Sequence, residues 1–389
     1  MRIQLTRTKN YKKKCVFNWH AQEMILIERY ITLNCNYEFV PLDKLGDIES
    51  KAVLKATAKA HQALGELKGL AVTMPNQYLL LATLSLQEAK ESSEIENIIT
   101  TQDDLYRSNY KSQQFISTSA KEVHNYAQAL QTGFNIINTK GLLTNNTIIE
   151  IQKIIENNDA GFRSQGGTQL VNQQNSEVIY TPPQTAKDII NLMSDLERFI
   201  NDDELCDYDD LVKMALIHHQ FESIHPFYDG NGRTGRILNV LYLSKQKLLG
   251  APILYLSRYL NKNKEQYYHL LQDVRDNGNW EPWLLFMLKA LQITSQDTLK
   301  TIQGLIALMQ TCKQTIKSKL PKIYSHELIN NLFTHPYTKV EFITQDLGIH
   351  RNTASKYLNQ LVDIDLLTKH KLGKDNYYLN RDLHDLLSH

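Results

Sequence analysis

Backbone breakers are scarce in this 389-residue chain, which has 16 glycines and 9 prolines. That is about 4% and 2% of residues, where about 7% and 5% are usual. So few turn residues disfavour many short strands and favour long helices. Cysteine is scarce too: Cys15, Cys35, Cys206 and Cys312 make no C-x-x-C pair. This removes a zinc knuckle and a disulfide framework and fits a reducing compartment. The most apolar stretches, around Tyr78 to Leu86 and Trp283 to Leu288, fall well short of the roughly 20 residues that span a bilayer. Neither sign of charge prevails, with 43 Lys+Arg against 42 Asp+Glu and a formal net charge of +1. A whole-chain polyanion binder is excluded, and any nucleic-acid case has to be local. Basic residues crowd the first 14 positions (Arg2, Arg7, Lys9, Lys12, Lys13, Lys14), but His20 and Glu23 come before a signal-peptide apolar region could form. The expectation is a cytoplasmic protein that makes no use of a membrane.

Residues 1–45 follow neither helical nor strand periodicity and are read as an N-terminal appendage. From about Asp47 the spacing turns helical, with Ile48, Ala52, Val53, Ala56, Ala60 and Leu64, then Leu79, Leu80, Thr83, Leu84, Leu86 and Ala89, on core faces. Between Gly161 and Pro183 a glycine cluster and a polar centre from Asn172 to Ser176 separate Leu170-Val171 from Val178-Ile179-Tyr180, the pattern of a short hairpin amid helices. Pro182-Pro183 stops it, and a helix begins near Thr185. After a long helical stretch from Trp280 to Lys319, residues 321–389 read as a separate small domain. There a helix including Val340 to Leu347, a turn at Gly348-Ile349-His350, a helix from Arg351 and a wing around Lys371 to Asn376 spell a winged helix-turn-helix. The fold class is mainly α, with a helical domain over 46–320.

The chemistry concentrates in His225-Pro226-Phe227-Tyr228-Asp229-Gly230-Asn231-Gly232-Arg233-Thr234-Gly235-Arg236. Helical spacing runs up to Ile224, Pro226 forces the chain out of helix, and the period resumes at Ile237. Gly230 and Gly232 can turn backbone N–H groups toward one point, and a helix starting near Gly232 adds its own unpaired N–H groups and positive dipole end. Arg233 and Arg236, three apart, can reach the same anion. A nest with two arginines suggests a polyphosphate. Asp229 beside phosphate calls for a divalent cation between them, and Mg²⁺ on one carboxylate plus substrate phosphates meets that need. His225 is a base near neutrality that can take a proton from an incoming hydroxyl.

These residues match the Fic motif H-P-F-x-[D/E]-G-N-G-R-x-G-R at every specified position, and His219 to Ile224 before them is Fic-like as well, so the chain resembles the Fic family. The resemblance implies an all-helical core with a β-hairpin flap that transfers AMP from ATP to a Ser, Thr or Tyr hydroxyl of a target protein, with Mg²⁺. It makes His225 the base and Asp229 the metal ligand. It makes Asp229, Gly230, Asn231, Gly232, Arg233, Thr234, Gly235 and Arg236 the ATP-binding set, with Asn231 at the α-phosphate and the two arginines on the outer phosphates. Gly232 sets the sequence apart from the branch with lysine there, which phosphorylates its target. The hairpin near 167–180 corresponds to the flap on which an extended target segment would dock. Tyr255 to Tyr268 is Fic-like too, which makes Tyr267 and Tyr268 candidates for the adenine pocket.

Upstream, Ser92-Ser93-Glu94-Ile95-Glu96-Asn97 matches the family's inhibitory pattern [S/T]-x-x-x-E-[G/N] through Ser92, Glu96 and Asn97. A carboxylate beside Arg236 would take the guanidinium that ATP's γ-phosphate requires. In some relatives the same glutamate is thought to position water for removing AMP, which leaves a de-AMPylase as an alternative. The other alternative is a DNA-binding regulator whose core senses nucleotide. The last 69 residues are neutral overall, yet Arg351, Lys356, Lys369, Lys371 and Lys374 lie on the expected second helix and wing, which would be the DNA face. A homodimer is left open.

Overall fold

The computed structural model describes residues 37–74, 77–108, 117–171, 176–372 and 375–388. Most of the N-terminal appendage, Cys15, Cys35, residues 172–175 of the hairpin and Lys374 lie outside these residues. Helices α1 (Lys51–Val72), α2 (Gln77–Ile95), α3 (Gln102–Arg107), α4 (Thr118–Lys140) and α5 (Asn145–Glu156) come first. They precede an antiparallel hairpin of β1 (Leu170–Val171) and β2 (Val178–Tyr180), with Leu170 opposite Tyr180 and Val171 opposite Val178. Then follow α6 (Ala186–Asn201), α7 (Asp210–Ile224), α8 (Asn231–Lys245), α9 (Leu256–Lys262), α10 (Lys264–Asn277) and α11 (Trp280–Lys319). The starts are set by local chemistry. Ser50, Ser117, Thr144 and Thr185 each accept a backbone N–H of the first turn that the helix itself cannot satisfy.

The middle of the molecule is α7, every residue of which except the first is buried. A helix buried all round must be covered on all sides. Here α8, α6, α11 and α1 supply the cover. Such a helix leaves no face to solvent, and its end is where the motif begins. Trp283 of α11 seals this packing, with its indole Nε1 donating to the Ala215 carbonyl at 3.0 Å.

Beyond α11 come α12 (His326–Thr334), β3 (Tyr337–Thr338), α13 (Val340–Leu347), α14 (Arg351–Asp363), β4 (Thr368–Leu372), β5 (Asp375–Leu379) and α15 (Arg381–Ser388). The three strands form one sheet in the order β3-β5-β4. This unit packs back on the helical body: α15 lies on α11, α12 on α2 and α11, and the Tyr337 hydroxyl donates to Asp103 Oδ1 at 2.6 Å. Gly304 of α11 permits the close approach, because a Cβ there would meet Leu386 Cδ1 at 2.7 Å. Among the described residues no helix is long and apolar enough to cross a membrane.

Two local boundaries are set by left-handed residues. The expected inhibitory helix near 92–97 stops at Ile95, and Glu96 and Asn97 form the turn beyond it. Asn97 is left-handed there (φ 60°), and Ile98 N–H returns to the Ser93 carbonyl at 3.0 Å. Asparagine tolerates that conformation and so ends the helix. The motif helix begins at Asn231, capped by Gly230 at φ 80°.

Candidate active site

A cavity of about 550 Å³ opens between the turn after α2 and helices α4, α5, α7, α8 and α10, and His225, Asp229, Gly230, Asn231, Gly232, Arg233, Arg236, Glu96, Tyr267 and Tyr268 all line it. His225 follows the last residue of α7 in a left-handed conformation, φ 49° and ψ 59°. Its imidazole is pushed down to about 3, first by burial, then by the positive charges of Arg163 and Arg275. It is therefore neutral at physiological pH. Asp229 stands on the same wall, its Oδ1 accepting the Gly230 N–H at 2.7 Å. Among the described residues no group of three or more His, Cys, Asp or Glu gathers as a metal cluster. A cation here would have Asp229 as its protein carboxylate and take its other oxygens from phosphate and water.

Both arginines are already engaged. Arg236 is buried; its Nε donates to Ser92 Oγ at 2.8 Å, and its Nη2 to the Ser92 carbonyl at 3.0 Å and to Glu96 Oε1 at 2.9 Å. Burial disfavours the guanidinium charge, but the Glu96 carboxylate together with Tyr267, Tyr268 and Tyr126 outweighs it and holds Arg236 protonated. Arg233 pairs with Glu156 Oε1 at 2.5 Å and lies 3.6 Å from Glu122 Oε2. Burial lifts Glu156 to about 7 against the pull of Arg233, with Asp229, Glu122 and Glu96 adding to the rise.

The two carboxylates sit over the glycines of the cradle. A Cβ on Gly232 would collide with Glu96 Oε1, and one on Gly230 would come within 2.7 Å of Glu156 Oε1. Thus Glu96 from the end of α2 and Glu156 from the end of α5 occupy the place that the sequence assigns to phosphate oxygens.

Three residues of the motif have structural engagements of their own. The Asn231 side chain braces the motif loop: Oδ1 accepts the Phe227 N–H and Nδ2 donates to the Phe227 carbonyl, both at 2.9 Å. Thr234 and Gly235 do not line the cavity. On α8 they fall on the face away from Arg233 and Arg236, where a Cβ on Gly235 would meet Glu222 Oε1 at 2.8 Å and Phe221 Cδ1 at 3.1 Å. Gly235 serves the contact of α7 with α8, and Thr234 is fully buried.

Tyr267 is a fixed wall. Its hydroxyl and His218 Nε2 are 2.8 Å apart, and the His218 ring stacks on Trp283 with 5° between planes. Tyr268 lies against it, ring centroids 5.0 Å apart. The hairpin approaches His225 from outside the cavity: the Tyr180 hydroxyl donates to the Ser223 carbonyl at 2.8 Å, and Arg275 lies over the Tyr180 ring at 4.2 Å. Ser92 and Glu96 hold Arg236, while Asn97 accepts from Lys264 Nζ at 3.3 Å. Arg163, Glu156, Glu122, Glu222 and Arg275 are site residues that the sequence did not single out. Glu222 lines the cavity beside Arg236, pushed up to about 7 by burial.

Comparison with known proteins agrees with this geometry. Family models match at 54–135 (Fic/DOC family N-terminal), 142–243 (Fic/DOC family) and 308–383 (Protein adenylyltransferase SoFic-like, C-terminal domain). Proteins named Protein adenylyltransferase Fic from Drosophila erecta and Drosophila ananassae are 30% identical over 107 residues, 28% of this chain and 20% of theirs. The chain thus spans about a fifth of the length of these curated relatives. A Fic family protein from Desulfovibrio desulfuricans G20 shares the fold with a TM-score of 0.55 at 20% identity, covering 85% of this chain and 97% of that one. A Fic domain containing signaling protein from Bacteroides thetaiotaomicron VPI-5482 aligns at 0.52 and 18% identity, over 63% and 97%. With the motif, its cradle and the helical body in agreement, residues 142–243 are a Fic/DOC family domain, preceded over 54–135 by the family's N-terminal region.

Proposed function

We propose that this protein is an adenylyltransferase that moves AMP from ATP onto a Ser, Thr or Tyr hydroxyl of a protein and restrains itself through Glu96. The observation that carries the reading is the single cavity in which a neutral imidazole, a carboxylate, a glycine cradle and two arginines converge. His225 takes the proton from the attacking hydroxyl, whose oxygen bonds to the α-phosphorus. The bond from that phosphorus to the β-bridging oxygen breaks, and pyrophosphate leaves. An imidazole this weakly basic gains basicity when the triphosphate anion arrives beside it. The N–H groups at the start of α8 receive the charge that builds on the phosphate. Asp229 would hold Mg²⁺, which neutralises phosphate charge and stabilises the departing pyrophosphate. The hairpin, tied to Ser223 two residues before the base, would seat an extended target segment next to it.

Restraint follows from the pair of Arg236 with Glu96. While that guanidinium is held, ATP lacks a grip on its outer phosphate and lies wrongly for in-line attack. The test is incubation with labelled ATP and Mg²⁺. Glu96→Gly should raise self-labelling or target labelling strongly, and Glu96→Gly with His225→Ala should abolish it. Unchanged labelling in folded Glu96→Gly would refute the restraint. Loss of AMP from a pre-labelled target, dependent on Glu96, would favour the de-AMPylase instead.

A second role rests on the C-terminal unit. Arg351, Asn352, Lys356 and Asn359 are exposed on α14, with Lys369, His370 and Lys371 exposed on β4, while α12 and α15 pack on the body. One acid intrudes, Glu341, at 3.3 Å from Arg351. The face fits duplex DNA read by a winged helix. Four phosphate contacts predict a slope of about −4 for log affinity against log salt. Fluorescence anisotropy with random duplex checks it; no binding at low salt removes this role.

A further inference from the structure

Arg163 lies in the loop between α5 and the hairpin and is fully buried. No carboxylate comes within ion-pair range of it among the described residues. Its partners are three successive carbonyls of the motif's first turn. Nη2 donates to Ile224 at 3.3 Å, Nε to His225 at 2.8 Å, and the backbone N–H to Pro226 at 2.8 Å. Its Nη1 has no hydrogen-bond partner. A buried cation without a counter-charge costs stability unless something returns it. Part of the return is the C-terminus of α7, whose last carbonyls carry the negative end of the helix dipole.

The remainder is local to the base. His225 is left-handed, a conformation that costs an L-residue with a side chain roughly 1–2 kcal/mol, and it precedes a proline that restricts it further. A conformation of this kind persists only where its surroundings hold it. Here the holding group is the Arg163 fork, gripping the carbonyls on either side of the His225 Cα.

We infer that Arg163 is the positioning residue of the base: its guanidinium locks the left-handed turn that presents the His225 imidazole and sets a fixed positive charge beside it. The inference rests on the adenylyl-transfer reading only for the catalytic half of its test. Around His225 the charged and titratable groups are Arg163, Arg275 of α10, Glu222 of α7, and the phenols Tyr180 and Tyr228 beside the two guanidiniums. Arg275 is held by the Ser223 hydroxyl at 3.0 Å and by the Tyr180 ring. Both cations are therefore secured by neutral partners, so their charge is left to act on the imidazole. The lowered basicity of His225 agrees with that arrangement.

Two substitutions separate the fork from the charge. Arg163→Lys keeps the charge and loses the two-pronged grip; Arg163→Met loses both. In the Glu96→Gly background, Arg163→Lys should lower kcat about 100-fold, the scale of a small misplacement of a reacting group, with KM for ATP changed less than about threefold. Its pH profile should keep the parent's acid limb. Arg163→Met should lose kcat similarly and move the acid limb up by roughly one unit, because the imidazole then protonates more readily. Circular dichroism and melting verify the fold, and Arg163→Lys carries the test alone if Arg163→Met does not fold.

Full kcat in folded Arg163→Lys overturns the proposal, as does a rise in KM that accounts for the whole loss. Absence of transfer in Glu96→Gly itself sinks the enzyme reading, not this inference. Imidazole titration of His225 by NMR then decides: a higher titration point in Arg163→Met supports the inference, and an unmoved one overturns it.

Discussion

At Arg233 the contest is between an internal carboxylate and an incoming phosphate. Glu156 holds that guanidinium at 2.5 Å from within the cradle. In the Glu96→Gly background, Glu156→Gln removes a negative charge from the same space. ATP should then bind about fivefold more tightly, the scale of a partly exposed ion pair; isothermal titration calorimetry checks it, and unchanged or weaker binding counts against a competing role. This partner was illegible in the sequence, because Glu156 stands 77 residues before Arg233 and no local spacing joins them. Arg233 and Arg236 were legible for the opposite reason, sharing a helix face at i and i+3. The same phase excludes Thr234 and Gly235 from the cavity, so their placement could have been read once the helix start was fixed. The pair of hydrogen bonds between Asn231 and Phe227 could not, since asparagine suits a loop brace as well as a ligand.

Helix ends, more than helix interiors, set up the site. Asn97 terminates α2 in a left-handed turn that delivers Glu96 to Arg236. Asn97→Gly keeps that conformation and should leave labelling low. Asn97→Val puts a β-branched residue at positive φ, which should loosen the turn and raise labelling in an assay with labelled ATP. Further up α2, Glu88 accepts from the Ser257 N–H at 3.0 Å at the start of α9 and from the Tyr126 hydroxyl at 3.2 Å. Burial pushes Glu88 up to about 7. An acid whose pKa is higher folded than unfolded stabilises fully below the unfolded value and loses that contribution as pH rises through the folded one. Stability of the parent relative to Glu88→Gln should therefore fall between about pH 4.5 and 7, by on the order of 3 kcal/mol. Urea melts of both proteins at a series of pH values measure it. Thr185 made the start of α6 readable, whereas Glu88 looks in sequence like any polar residue of an amphipathic helix.

For the molecule as a whole, α11 is the spine. Its 40 residues reach about 60 Å, from Trp283 under the cavity wall to the C-terminal unit. Leu386 of α15 lies over Gly304, and Gly304→Val should overpack that seam, costing roughly 1–3 kcal/mol. The melting temperature should drop by a few degrees while labelling by Glu96→Gly stays the same. A large loss of labelling would show that the seam also supports the cavity. The mainly helical class was legible from scarce glycine and proline and from apolar periodicity. The docking of the C-terminal unit was not, because contacts such as Tyr337 with Asp103 join residues 234 apart.

The paired carboxylates over the cradle mean that the resting protein brings its own counter-anions. Orthophosphate, sulfate and stray nucleotides in its surroundings meet a site that is already electrically satisfied, and so they should pass it by. Freeing either guanidinium ends that indifference, so a more active form should also be a less discriminating one, open to inhibition by simple inorganic anions that leave the restrained form untouched.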